Sequence, residues 1–436
     1  MQTIERAVNL FDDGQYTEIN SFLSYSQVRT AYGYVNGNPV YAFFQDSKKN
    51  GGAISKNDAE KISKLYDMAV KTGTPIIAFY DSDGAFMDGT AECLNSYGKM
   101  LSASGVISGV VPQISVIVGA CTGMSAMLAC SADLVIMTKN AEFYSAPNSK
   151  GDSETAEKAG LVSLVCEDES EAIEKVKTFI NILPSNNLCP APVYEYEETQ
   201  DSVTGDIKGF VKGVCDANSV IEISAGYGKA SYTAFASVKG STIGICGTNK
   251  TSDKLNADDC TKIARFVRMC DAFAIPIVTV VDTEGFEGAT DKNAIEEIKA
   301  MTRLANCYAE ATTVKISVIT GKAIGSAFTA LAGKNVNADF VFAWENAVIA
   351  PVMPETAVEF LWHDELKNTD NLQAKRAELA QKYAETLASA RSAAAIDAVD
   401  DVIAPENTKD VLTSALDIMS GKRVSKLPKK HSNIPL

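Results

Sequence analysis

Two segments of this chain carry an apolar run into a spaced pair of glycines followed by small residues: Gly119-Ala-Cys-Thr-Gly123-Met-Ser-Ala and Gly321-Lys-Ala-Ile-Gly325-Ser-Ala-Phe. Glycine lets a backbone approach a ligand closely. The first amides of a following helix lack intrahelical acceptors and sit at the positive end of the helix dipole. A turn of this kind can hold a developing negative charge, and losing one donor from such an oxyanion hole typically costs about 2.7–4 kcal/mol of barrier. It needs neither imidazole nor metal, which suits a chain whose two histidines are His363 and His431. The structural alternative is that the glycines only permit tight strand-to-helix packing; their recurrence at a matching place favours function. Neither turn reads G-x-x-x-x-G-K-[ST] or G-x-G-x-x-G, so phosphate-loop and dinucleotide folds are not indicated. Two acidic turns, Asp81-Ser-Asp-Gly84 and Asp282-Thr-Glu-Gly285, offer acid–base groups or hydrogen bonds to the turn's own amides.

The elements that position these turns recur. Pro75, Asp81 and Gly84 lie 201 residues before Pro276, Asp282 and Gly285; Gln113, Gly119 and Gly123 lie 202 before Lys315, Gly321 and Gly325; Ala132-Asp133 lies 206 before Ala338-Asp339. Each half reads as an amphipathic helix (Lys61 to Lys71; Lys262 to Phe273), a buried strand, a turn, a second strand, the glycine turn and a second helix. The run Gln113 to Ser131, broken by Gly119, Thr122, Gly123 and Ser125, is read as strand, turn and helix rather than a membrane span. Leu183 to Asp206, with Pro184, Pro190, Pro192 and an acidic stretch, interrupts both periodicities and places a link there. The expected domains are 1–190 and 205–436. Asp370 to Val399 is rich in Ala, Glu and Lys without Gly or Pro and predicts one long helix. The tail from Lys422 to Lys430 carries five positive charges, read as a solvated or subunit-docking segment, with phosphate binding as the alternative.

The 436 residues suffice for two or three domains, and the net charge of −15 disfavours nucleic acid and anionic lipid as partners. Ten cysteines without a CxxC pair, and an acidic N-terminus with no basic, apolar leader, predict reduced thiols in the cytoplasm.

With these segments laid out, the chain resembles the carboxyltransferase family of biotin-dependent acyl-CoA carboxylases and decarboxylases. The resemblance runs over nearly the whole chain. It is carried by Glu5-Arg-Ala-Val-Asn-Leu-Phe-Asp-Asp-Gly, Asp81-Ser-Asp-Gly-Ala85, Ser104-Gly-Val-Ile-Ser-Gly-Val-Val-Pro-Gln-Ile, Leu183-Pro-Ser-Asn-Asn, Ala264-Arg-Phe-Val-Arg-Met-Cys-Asp-Ala-Phe, Tyr308-Ala-Glu-Ala-Thr and Lys429-Lys-His-Ser-Asn-Ile-Pro-Leu. It implies an α/β fold: two tandem crotonase (ClpP/enoyl-CoA hydratase)-like β-β-α superhelix domains related by internal duplication, the first on the acyl-CoA side and the second, with its helical tail, on the biotin side.

The implied reaction moves a carboxyl group between an acyl-CoA α-carbon and biotin on a separate carrier, with methylmalonyl-CoA, malonyl-CoA or propionyl-CoA as the acyl donor or acceptor. Both half-reactions pass through enolate-like anions, so two oxyanion holes are implied, one per domain. Carried over by motif, the Gly123 and Met124 amides would serve the thioester and those of Ser326 and Ala327 would serve biotin. Gly84, Ala85, Gly119, Phe328 and Thr329 would lie on the substrate, and Gly325, Gly285 and Phe286 on the biotin side. No metal is implied. The implied partners are a biotin carboxyl carrier protein, and a biotin carboxylase or membrane decarboxylase subunit that could hold the chain at a membrane. Domains of different subunits would share a site, which implies a homo-oligomer, a dimer or trimer of dimers. The sequence departs from the family at Glu284-Gly-Phe-Glu-Gly-Ala-Thr-Asp, Thr155-Ala-Glu-Lys-Ala-Gly160 and Pro351-Val-Met-Pro-Glu-Thr-Ala357. Two other readings are a scaffold subunit without catalysis and a crotonase-type hydratase or isomerase that needs no biotin.

Overall fold

The computed structural model describes residues 1–436 apart from 25, 85–90, 147, 251, 289–291, 332, 426–427 and 434–436, and omits the side chains of 292–294. The chain divides into two compact units, Met1–Pro192 with Ser224–Tyr227, and Val193–Ile223 with Gly228–Leu436.

The first unit runs α1 (Thr3–Leu10), β1 (Tyr16–Glu18), β2 (Arg29–Val35), β3 (Asn38–Phe44), α2 (Lys56–Thr72), β4 (Ile76–Ser82), α3 (Ala91–Ile107), β5 (Gln113–Thr122), α4 (Met124–Cys130), β6 (Leu134–Thr138), β7 (Glu142–Tyr144), β8 (Lys150–Asp152), α5 (Ser153–Lys158), β9 (Leu164–Cys166) and α6 (Glu169–Ile182). The sheet order is β1-β2-β3-β4-β5-β6-β9, antiparallel through β3 and parallel from β3 onward. Asn36 and Gly37, both at positive φ, close the β2–β3 hairpin as its two loop residues, the Asn-Gly chemistry such turns require. The parallel strand β4 is apolar and buried over Ile76–Tyr80, as a strand covered on both faces must be. Helix α2 starts on a capping box between Ser55 and Asp58 and stops at Gly73 in the left-handed region.

The second unit repeats this plan. It runs α7 (Ile207–Val214), β10 (Ile221–Glu222), β11 (Ser231–Val238), β12 (Ser241–Thr248), α8 (Ala257–Ala272), β13 (Ile277–Thr283), α9 (Lys292–Glu310), β14 (Lys315–Ile324), α10 (Ser326–Ala330), β15 (Phe340–Trp344), β16 (Val348–Ala350), α11 (Pro354–Leu361), α12 (His363–Lys367), α13 (Leu372–Glu385), α14 (Ala390–Ala395), β17 (Asp401–Ile403) and α15 (Thr408–Met419). Its order, β10-β11-β12-β13-β14-β15-β17, has the same antiparallel-then-parallel pattern. Lys239-Gly240 stands where Asn36-Gly37 stands, and Asn256 with Asp259 forms the capping box of α8.

One irregularity in both sheets places the glycine turns. Register slips between Tyr80 and Ser82 of β4 against β5, and between Val281 and Thr283 of β13 against β14. The longer strand bends there, and its last three residues pair with a short separate strand: 120–122 of β5 with β7, and 322–324 of β14 with β16. Gly123 and Gly325 follow at once, each the N-cap of a short helix.

The long helix expected over Asp370 to Val399 is two helices, α13 and α14. The carbonyl of Ala388 accepts the N–H of Ile349 at 2.8 Å, Ser389 bridges to Val348, and the Ser389 side chain caps α14. Composition favoured continuity, but strand β16 captures this backbone. The basic tail is anchored: Lys422 Nζ donates to Asp339 and to the Thr313 carbonyl, and Lys429 Nζ pairs with Glu310 at 2.9 Å. All ten cysteines are free thiols, eight of them buried. Among the described residues no helix is long and apolar enough to cross a membrane, and no group of His, Cys, Asp and Glu is placed to hold a metal.

Candidate functional site

Each unit has a cavity at its glycine turn. The first, about 460 Å³, is lined by Asp83, Gly84, Tyr97, Thr122, Gly123, Met124 and the 144–146 segment. Gly123 sits at φ 50°, ψ −114°, which a residue with a Cβ rarely adopts, and its N–H donates to the Tyr144 carbonyl at 2.7 Å. That bond continues the β5–β7 pairing, so the Gly123 amide, expected from sequence to face a thioester, is engaged by the protein itself. The N–H groups of Met124 and Ser125, the first two of α4, have no acceptor among the described residues. They are the donors left at this turn.

Gly84 lines the same cavity at φ 129°. Ala85 lies outside the described residues. Gly119 is placed elsewhere: a Cβ on it would fall 2.2 Å from Asp81 Oδ1, so its role is to admit that side chain at the bend of β5. Asp81 in turn pairs with the buried Arg6 at 3.2 Å. Three lining residues carry no signal of their own in sequence. Tyr97 comes from α3, with its hydroxyl 2.7 Å from Ser125 Oγ, and burial pushes that phenol up so that it stays protonated. Tyr144 bonds Glu142 through its hydroxyl, and Glu142 is also paired with Lys150. The Thr122 hydroxyl is buried without a partner among the described residues.

The second cavity, about 300 Å³, is lined by Gly325, Phe328, Pro351, Leu387 and Ile396, with Ile349, Ala350 and the small residues of α14 between them. Gly325, at φ 62°, donates its N–H to the Ala350 carbonyl at 2.8 Å, as Gly123 does to Tyr144. Ser326 and Ala327 open α10 without acceptors for their amides among the described residues. Ser326 is exposed and Ala327 buried, and neither side chain lines the cavity, whereas Phe328 does. Thr329 is exposed and not part of the lining. Gly285, at φ 111°, is fixed by hydrogen bonds to Thr283 Oγ1 and from Leu255 N–H, and Phe286 bridges to Leu255; neither lines the cavity. The acidic turn is used structurally here: Asp282 accepts the N–H of Lys322 at 2.8 Å and pairs with Lys250 at 3.1 Å, while Glu284 pairs with Lys322 Nζ at 2.8 Å.

Each unit thus carries a cavity beside its copy of the duplicated turn. Residues 3–434 match the model of the carboxyl transferase domain. The chain belongs to the carboxyl transferase family. It is 32% identical to methylmalonyl-CoA decarboxylase subunit alpha of Propionigenium modestum, over all of this chain and 93% of that protein. It is also 32% identical to the methylmalonyl-CoA carboxyltransferase 12S subunit of Propionibacterium freudenreichii subsp. shermanii, over 99% of this chain and 91% of that one. The crystal structure of a transcarboxylase 12S hexamer with methylmalonyl-coenzyme A and methylmalonic acid bound superimposes on all of this chain and 92% of that one, with a TM-score of 0.94 at 30% identity. The two α/β units are therefore crotonase-like domains, and the chain is a carboxyltransferase.

Proposed function

We propose that this carboxyltransferase moves a carboxyl group between the α-carbon of a short acyl-CoA, of the methylmalonyl-, malonyl- or propionyl-CoA type, and biotin carried on a separate protein. The observation that carries the reading is the matched pair of cavities, each opening beside helix-start amides that have no acceptor among the described residues. Loss of a carboxyl group from the α-carbon leaves an electron pair that delocalises onto the thioester oxygen; the α-carbon then takes up the proton that a biotin ring nitrogen gives up on accepting the carboxyl group, and carboxylation runs the same exchange in reverse through the same enolate. The Met124 and Ser125 amides stabilise that oxygen as charge develops, and such preorganised donors are effective because they need no reorganisation. The protein supplies position and electrostatics, and neither His363 nor His431 lines either cavity among the described residues.

The second cavity fits the biotin ring system in its chemistry. Its lining is mostly apolar, with Phe328, Ile349, Pro351, Leu387 and Ile396, and the start of α10 at one edge supplies N–H donors for a urea oxygen. When bound there, biotin would accept or supply the carboxyl group at a ring nitrogen. Gly325, whose N–H is tied to Ala350, holds the turn so that Ser326 and Ala327 present theirs. Relatives are named as decarboxylase, transcarboxylase and carboxylase subunits, which supports work within a complex that includes a biotin carboxyl carrier protein and either a biotin carboxylase or a membrane decarboxylase subunit. The named hexamer of the 12S protein supports a homo-oligomer for this chain, a dimer or trimer of dimers.

The test is conversion of malonyl-CoA or methylmalonyl-CoA to its decarboxylated acyl-CoA by the purified chain with free biotin or a biotinylated carrier, with the carboxyl group recovered as carboxybiotin or as the CO₂ that carboxybiotin loses on standing. Biotin-dependent conversion is expected. Turnover of an acyl-CoA that ignores biotin would replace the reading with a hydratase or isomerase, and no turnover of any carboxyacyl-CoA would leave a scaffold.

A further inference from the structure

The duplication supplies an internal comparison. Thr122 stands in the first unit where Ile324 stands in the second, and Ser125 where Ala327 stands, since both turns align at the same offset of 202. Ile324 and Ala327 are buried apolar residues, so the strand–turn–helix junction folds without hydroxyls at these positions. The first unit nevertheless places two there and adds a third from α3.

Their hydrogens do not balance within the protein. Thr122 Oγ1 is buried with no partner among the described residues. Tyr97 and Ser125, each 1% exposed, share a single hydrogen bond of 2.7 Å. Two O–H groups in one bond leave one hydrogen without an acceptor, and no other bond of either hydroxyl is present among the described residues. Buried hydroxyls left in this state are unfavourable unless a ligand completes them. Thr122 and Tyr97 both line the 460 Å³ cavity beside Gly123 and Met124. Gly84 packs closely against the same hydroxyl: a Cβ there would come within 2.8 Å of Thr122 Oγ1.

We infer that Thr122 and the Tyr97–Ser125 pair are side-chain donors to the thioester oxygen of the bound acyl-CoA, supplementing the Met124 amide. The inference rests on the acyl-CoA reading of the first cavity and extends it, because the site then has hydroxyl donors at the glycine turn itself, where the second unit has Ile324 and Ala327; the hydroxyl that lines the second cavity, Ser392, is bonded to the Thr386 carbonyl. As charge builds on the thioester oxygen, Thr122 Oγ1–H and the remaining hydrogen of the pair turn toward it, with no proton transferred.

The experiment compares Thr122→Val, which keeps shape and removes the hydroxyl, with Thr122→Ser, which keeps the hydroxyl, alongside Tyr97→Phe. Biotin-dependent decarboxylation of malonyl-CoA and methylmalonyl-CoA is measured together with the melting temperature. The expected result is that T122V lowers kcat about tenfold for both substrates with KM within about twofold, that T122S restores it, and that Y97F lowers kcat in the same direction. A T122V protein with wild-type kcat, or one whose loss T122S fails to restore, overturns the inference while leaving the acyl-CoA reading intact. A wild-type chain that turns over no acyl-CoA overturns both.

Discussion

Asp282 closes over Gly321: a Cβ on Gly321 would lie 2.3 Å from the carboxylate, which accepts the neighbouring Lys322 N–H at 2.8 Å. The first unit has the same close approach between Asp81 and Gly119, with 2.2 Å left for a Cβ. The contact sits at the register slip that bends each long strand toward its glycine turn, so it sets where the donors of that turn point. Gly321→Ala and Gly119→Ala should each lower stability by about 1–3 kcal/mol through overpacking, read from urea unfolding. A change below about 0.5 kcal/mol would mean that the bend does not depend on this approach.

Gly123 and Gly325 should be separable. Both are at positive φ, where a side chain costs at least about 1–2 kcal/mol, and each borders one cavity. Gly123→Val should weaken acyl-CoA binding by about tenfold or more in calorimetry. Gly325→Val should leave that affinity within about twofold while the biotin-dependent rate falls by about tenfold or more. Equal losses of acyl-CoA affinity in both variants would contradict the division of roles.

Lys262 makes stability rise at alkaline pH. It is buried, with Nζ donating to the carbonyls of Ser231 and Gly228, and burial pulls its pKa down to about 8 against the attraction of Glu222 and Asp259. An unfolded lysine titrates near about 10.4. Between those values the unfolded chain binds a proton that the folded chain does not, so unfolding free energy increases with pH across that window. Lys262→Met should flatten this slope in unfolding titrations at several pH values, and an unchanged slope would place its origin elsewhere.

Glu310 holds the tail in an acid-sensitive way. Its partial desolvation raises the pKa, but hydrogen bonds from Ser432, Lys429 and Arg268 outweigh that and bring it down to about 2. The contribution is therefore complete above the unfolded glutamate value of about 4.3 and lost as pH falls toward 2. Trypsin cleavage at Lys429 or Lys430 should accelerate in Glu310→Gln at neutral pH relative to wild type. Equal rates would show the tail held by other contacts.

The duplicated turns were legible because strand, glycine spacing and helix recur at fixed offsets, and such local patterns depend on neighbours in sequence. The partners of those turns were not. Gly119 reads as a ligand-facing glycine until Asp81, from the adjacent strand, is seen to occupy the space. Tyr97 lies 26 residues before Gly123 and reaches the site only because α3 packs on α4. Leu387 and Ile396 line the second cavity because β16 breaks a segment whose composition favours one helix. Local propensity yields there to pairing with a distant strand.

The most direct measurement of the central claim is the fate of a labelled carboxyl group. The chain is incubated with methylmalonyl-CoA or malonyl-CoA carrying ¹³C in the free carboxylate, together with a biotinylated carrier, and the carrier is analysed by mass spectrometry at alkaline pH. Transfer predicts ¹³C-carboxybiotin on the carrier and the matching decarboxylated acyl-CoA in equal amounts, both lost in G325V. Acyl-CoA consumption with no label on the carrier would contradict it.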